Sequence, residues 1–113
     1  MRALTALILA MVSVLAVSAA ERGHDYPTAA RADYVFGCMA SNGQTSAMLN
    51  KCACSIDVIA SIMTYERYVE AETVIRMRQV GGEKHAMFRT SEAAKRAVDD
   101  LRRAQAESEN RCF

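Results

Sequence analysis

Two hydropathy regimes divide the chain. Ala3 to Val17 is an almost unbroken apolar run, interrupted only by Thr5 and Ser13. From Thr28 onward apolar positions recur every three or four residues, and no stretch alternates as a half-buried strand would. The second regime predicts helices throughout. Tyr34, Val35, Cys38 and Met39 form the stripe of a first helix over Thr28 to Ser41, which Asn42-Gly43 ends. Leu49, Cys52, Ile56, Ile59 and Met63 mark the buried face of a second helix, Thr45 to Met63. Ala47, Cys54, Val58 and Ile62 form a further stripe beside that face, so this helix is expected at the centre. A third helix, Tyr65 to Val80, has Thr64 as its N-cap and turns Val69, Thr73, Met77 and Val80 inward. Gly81-Gly82 stops it, and Glu83 to Arg89 is a connector with room for one helical turn. The last helix begins after Thr90 or Ser91. Its face is Ala94, Val98, Leu101, Gln105, Ser108 and Cys112, with only the upper half expected to pack deeply.

The first regime reads as an export signal. Arg2 supplies the positive start, and Val17-Ser18-Ala19-Ala20 offers the small residues that signal peptidase needs, with cleavage after Ala19 or Ala20. The run is short for a membrane span, charge resumes at Glu21 and Arg22, and no later stretch could cross a bilayer. The expected organisation is a signal peptide over residues 1–20, a flexible lead-in over 21–27, and a single helical domain over 28–113. The expected location is the periplasm. Short connections predict antiparallel neighbours, giving an all-α fold, a small bundle of about four helices.

Four cysteines, Cys38, Cys52, Cys54 and Cys112, change this picture. An even number of thiols in a small exported domain reads as two disulfides. Cys52 and Cys54 point to nearly opposite sides of a helix and cannot readily join each other. One therefore reaches the first helix and the other the last. Depth counted from the Asn42-Gly43 turn favours Cys38–Cys52 and Cys54–Cys112, and the swapped pairing stays open. A Cys-x-Cys pair with Met39, Met48 and Met63 nearby also suits copper(I). Against that, the methionines fall on core stripes. Thiol exchange would call for a pair at a helix N-terminus, and this one lies mid-helix.

Charge excludes some functions. The chain has 14 basic and 13 acidic side chains, and Arg2 is one of the 14, so beyond the signal the balance is zero. That gives no electrostatic footprint for nucleic acid. His24 and His85 lack partners at ligand spacing. Glu66, Glu70 and Glu72 cluster on the third helix, either as a solvated face with Glu72 paired to Arg76 or as oxygen ligands for a hard cation. No nucleophile elbow, phosphate loop or histidine–acid motif is visible, so no catalytic residue is assigned, no cofactor is expected, and the chain reads as non-enzymatic. In the segment YERYVEAET, Tyr65 and Tyr68 with Glu66 and Glu70 form the candidate partner-binding surface, the alternative being that both tyrosines pack into the bundle.

The stretch CACSIDVIASIMTYERYVEAETVIRMRQV, Cys52 to Val80, together with the ending AQAESENRCF, resembles small secreted proteins of unassigned function from methylotrophic and related proteobacteria. The resemblance spans residues 34–113. Those proteins accompany gene sets for periplasmic PQQ-dependent (quinoprotein) alcohol dehydrogenases and their cytochrome c partners. The resemblance implies an accessory, interaction role beside a methanol or ethanol dehydrogenase. Because some of those enzymes use lanthanides, it also implies an alternative, binding or delivery of a metal ion. No catalytic residue carries over.

Overall fold

The structure, a computed structural model, describes residues 25–113, less the side chains of Lys84, Met87 and Phe88. The export signal, residues 1–20, and residues 21–24 of the lead-in lie outside the described residues. The described chain is all-α: α1 Thr28–Asn42, α2 Ser46–Ile62, α3 Tyr65–Gln79, a 3₁₀ turn Glu83–His85, the short α4 Ala86–Thr90, and α5 Glu92–Cys112. Hydroxyl caps set three starts. Thr45 accepts from Met48 N at 3.1 Å, Thr64 from Arg67 N at 3.4 Å and Ser91 from Ala94 N at 3.1 Å. Gly43 ends α1 with φ 114°, a conformation other residues adopt only with strain. Among the described residues no single helix is long and apolar enough to cross a membrane.

The disulfides are Cys38–Cys52 and Cys54–Cys112. The first fastens α1 to α2, and the second fastens α2 to the end of α5. α1 packs on α2, α2 on α5, and α5 on α3. The centre is thus shared by α2 and α5, not held by α2 alone. The core joins Ile56 and Ile59 of α2, Tyr68 and Ala71 of α3, and Ala97, Leu101 and Ala104 of α5. Full burial of each large aliphatic here contributes about 1.5–3 kcal/mol.

Four expectations change. First, α2 buries Cys52, Ser55, Ile56, Ile59 and Ala60, while Leu49 and Ile62 stay exposed. α1 and α5 cover two sides of α2, and among the described residues no further helix covers Leu49 and Ile62. Second, α3 is rotated from the predicted face. Tyr68, Ala71 and Val74 are buried, and Val69 and Val80 are exposed. A tyrosine buries far more apolar area than a valine, so Tyr68 decides which side turns in. Arg67 fixes the rotation from the flank. It donates to Asp100 of α5 at 2.8 Å and also pairs with Glu70, while Arg103 holds the other Asp100 oxygen at 2.7 Å. These pairs hold the Asp100 carboxyl below the usual carboxylate range. Third, α5 packs along most of its length, with Ala104 and Ser108 as fully enclosed as Leu101. Its small residues let α2 come close, and Cys112 ties down the end. Fourth, the chain turns by 111° between α2 and α3, so that short connection does not give an antiparallel return.

The lead-in also needs correcting. Tyr26, assigned to it by sequence, is buried in the core. Its hydroxyl donates to the carbonyls of Met63 at 3.1 Å and Thr64 at 3.5 Å, at the α2–α3 corner. Its ring lies 5.2 Å from that of Tyr65 and 5.3 Å from that of Tyr68, and the Arg31 guanidinium sits over it. Asp25 accepts from Tyr65 N at 2.9 Å, capping α3 from outside. Residues 25–27 therefore belong to the packed domain.

Candidate functional site: the cleft between α1 and α3

Because α1 rests on α2 and α3 rests on α5, the two outer helices do not pack along each other. A cleft opens between them, with a cavity of 520 Å³, within the range of ligand sites. α1 presents Asp33, Tyr34, Gly37 and Cys38 to it, positions that helical periodicity places on one face. α3 presents Tyr68 and Glu72, one turn apart. Glu109 and Phe113 close the C-terminal end, and Ser55 of α2 lies at the floor. A second cavity of 270 Å³ continues between the start of α1 and α3. The two share Asp33, Tyr68 and Glu72, so they form one extended groove.

The floor is a directed hydrogen-bond chain. Ser108 Oγ donates to the Gln105 carbonyl at 2.7 Å, which uses its only proton. In its 2.8 Å contact with Ser55, Ser108 therefore accepts. Ser55, having donated inward, must accept from Tyr34 across 2.9 Å. The order is Tyr34 to Ser55 to Ser108 to the Gln105 carbonyl. Both serines are buried and fully satisfied, as buried hydroxyls must be. The Tyr34 oxygen thus spends its proton on the floor and offers the cleft only lone pairs.

Tyr68 stands beside it. Only 9% of Tyr68 is exposed, and no protein group among the described residues bonds its hydroxyl. Burial, and then the nearby Glu72, Tyr34 and Asp33, hold this phenol far above its ordinary range, so it stays protonated. Asp33, Glu72 and Glu109 likewise have no ion-pair or hydrogen-bond partner among the described residues. By contrast, Asp57, Glu70, Glu92, Asp100 and Glu107 each hold an arginine or lysine.

Gly37 leaves the wall open. It sits inside α1 with ordinary helical backbone, and an added Cβ would meet nothing within 4 Å. Neither a turn nor a close approach requires glycine there. Gly37→Ala should stabilise the protein by about 0.5–1 kcal/mol through helix propensity. Differential scanning calorimetry should show this as a rise of several degrees, and an unchanged or lower Tm would show that the position is constrained.

The groove differs from the surface expected from sequence. Tyr65 and Tyr68 do not form an exposed contact patch. Tyr68 is buried, Tyr65 is half-buried on the core, and Tyr68 reaches only the groove. Glu66, Glu70 and Glu72 do not converge. Glu70 pairs with Arg67 on the α5 flank, Glu66 is exposed, and Glu72 lines the groove on the other side without pairing to Arg76. Among the described residues no three His, Cys, Asp or Glu side chains are placed to hold a metal ion. All four cysteines are disulfide-bonded, so in this oxidised form Cys52 and Cys54 offer copper(I) no thiolate. The sequence pattern gave Tyr34 and Ser108 only as packing positions and did not single out Asp33, Gly37, Ser55 or Glu109. Two signals were present: a glycine inside a helix, and serines on apolar faces.

No protein family, curated protein or solved structure matches this chain.

Proposed function

We propose that this protein is a non-catalytic accessory protein of the periplasm that engages a protein partner through the α1–α3 groove. The carrying observation is the groove itself. It is extended, Gly37 leaves its α1 wall open, and the Cys38–Cys52 disulfide fastens α1 to α2 while α3 is packed on α5. Pre-organised walls reduce the ordering cost of association. The disulfides suit an oxidising compartment. The partner we favour is a quinoprotein methanol or ethanol dehydrogenase or its cytochrome c, a choice resting on the resemblance of residues 34–113.

The test is binding of the purified protein to a purified dehydrogenase and its cytochrome c, by biolayer interferometry. Gly37→Trp fills the groove from a position with free space. One of the two partners should bind the wild type, and Gly37→Trp should weaken binding by at least tenfold at unchanged Tm. Binding untouched by Gly37→Trp would remove the groove from the account. No binding to either would remove these partners.

A further inference from the structure

We propose that the occupant of the groove is an extended peptide segment bearing a lysine or arginine, whose cationic head lies where the two cavities meet, between Asp33 and Glu72. This rests on the reading of the groove as a binding site and adds the chemistry it selects.

Three independent observations lead there. First, the polar groups at the junction are short of donors. Asp33 and Glu72 are carboxylates without a partner among the described residues, and the Tyr34 oxygen can only accept because the serine chain fixes its proton inward. An ammonium or guanidinium carries donors and no acceptor, so it satisfies this set without leaving a mismatched pair. An anion would meet like charge, and an apolar group would strip water from carboxylates that gain nothing in return.

Second, Tyr68 is an unpartnered phenol, nine-tenths buried, that lines both cavities. Its ring supplies an aromatic surface beside the carboxylates, an arrangement that attracts cations. Its hydroxyl remains free to donate to a carbonyl of an incoming backbone. Third, the groove is long. Cavities of 520 and 270 Å³ joined through three shared residues exceed what a single small amine would fill. The outer cavity adds apolar surface from Ala29, Ala30 and the exposed Val69, where a neighbouring side chain of the same peptide would rest. Among the described residues the one cation in these walls, Arg76, lies in the outer cavity only. With the protein's total charge near zero, the acidity is a property of this groove rather than of the whole surface.

The test uses ¹⁵N-labelled protein covering residues 21–113, titrated with two oriented heptapeptide libraries that differ only at the central residue, arginine or its neutral isostere citrulline. The expected result is that the arginine library shifts the amides of Gly37 and Glu72, with at least tenfold tighter apparent affinity than the citrulline library. Asp33→Asn with Glu72→Gln should remove at least tenfold of that affinity. These exchanges keep shape at unpaired positions, and an unchanged Tm verifies the fold. Equal binding of both libraries would overturn the cationic head while leaving the groove as a binding site. Binding of neither would overturn the peptide occupant, and the dehydrogenase experiment with Gly37→Trp would still stand separately. Methylammonium alone reproducing the shifts at the same concentration would assign the groove to a small amine. Lanthanum doing so would assign it to a hard cation. Either overturns the proposal.

Discussion

Reduction of the two disulfides should unfold this protein under conditions where the oxidised form is stable. The bonds close loops of 14 and 58 residues. In the chain-entropy treatment, loops of that size restrict the unfolded state by about 3 and about 4 kcal/mol respectively. Small domains have a total stability of about 5–15 kcal/mol, so losing both bonds removes between about half and all of it. The two are not equivalent. Cys54–Cys112 should matter more, because it closes the longer loop and fastens the end of α5, where Ser108 completes the buried hydroxyl chain. The clean variants are paired alanines. At Cys52, fully buried, a serine would add a buried hydroxyl costing about 1–3 kcal/mol on its own. Urea denaturation of Cys54→Ala/Cys112→Ala should show a loss of about 4 kcal/mol, against about 3 for Cys38→Ala/Cys52→Ala. A loss under about 1 kcal/mol for the long-loop pair would show that the core alone holds α5 and that the unfolded chain is already compact.

Tyr26→Ala should destabilise the protein by about 3–5 kcal/mol, the range for removing a large aromatic from a core. Such a loss is unexpected for a residue just before the first helix. Tyr26 fills the corner where α2 meets α3, its ring packing on Tyr65 and Tyr68 and its hydroxyl bonded to the Met63 carbonyl and, at longer range, to the Thr64 carbonyl that also accepts from Tyr68 N. Burial and then Asp25 keep that phenol protonated well beyond its ordinary range, so it remains a donor. Tyr26→Phe keeps the ring and loses the donor, so its expected cost is smaller, about 0.5–1.5 kcal/mol. Urea midpoints of the two variants separate ring from hydroxyl. If Tyr26→Ala costs under 1 kcal/mol, residues 25–27 are a lead-in after all, and the corner is held by Tyr65 and Tyr68 alone.

The two effects bear on the groove as well. Tyr26 and the α3 cap from Asp25 set where α3 begins, and the Cys38–Cys52 bond sets how α1 lies on α2. The separation of α1 and α3 is thus decided by the packing of each on α2 and α5 rather than by Asp33 or Glu72. A groove built this way presents a fixed geometry to its occupant. It also makes Gly37→Trp and Asp33→Asn informative, because neither residue supports the core.

The sequence by itself determined the main helices, the Thr64 cap and the glycine stops, while the structure assigned the caps at Thr45 and Ser91. These depend on local chemistry: a threonine or serine oxygen reaching an amide three residues on, a glycine at positive φ, and apolar residues one turn apart. It also determined that Cys52 and Cys54 must bond in different directions, since helical geometry separates them. Which face of α3 turns inward was not local. The stripe of Val69 and Val80 and the face of Tyr68, Ala71 and Val74 are both helical in period, and the choice fell to whichever buried more area against α5 and Tyr26. The groove was least legible. Asp33, Tyr34, Ser55, Tyr68, Glu72, Ser108 and Glu109 come from four helices and have no common spacing along the chain. Their meaning arises from proximity: a serine is unremarked on a helix until its proton has somewhere to go, and a carboxylate becomes a binding group only when no cation among the described residues pairs with it. Packing of the helices, which depends on the whole chain at once, decided both.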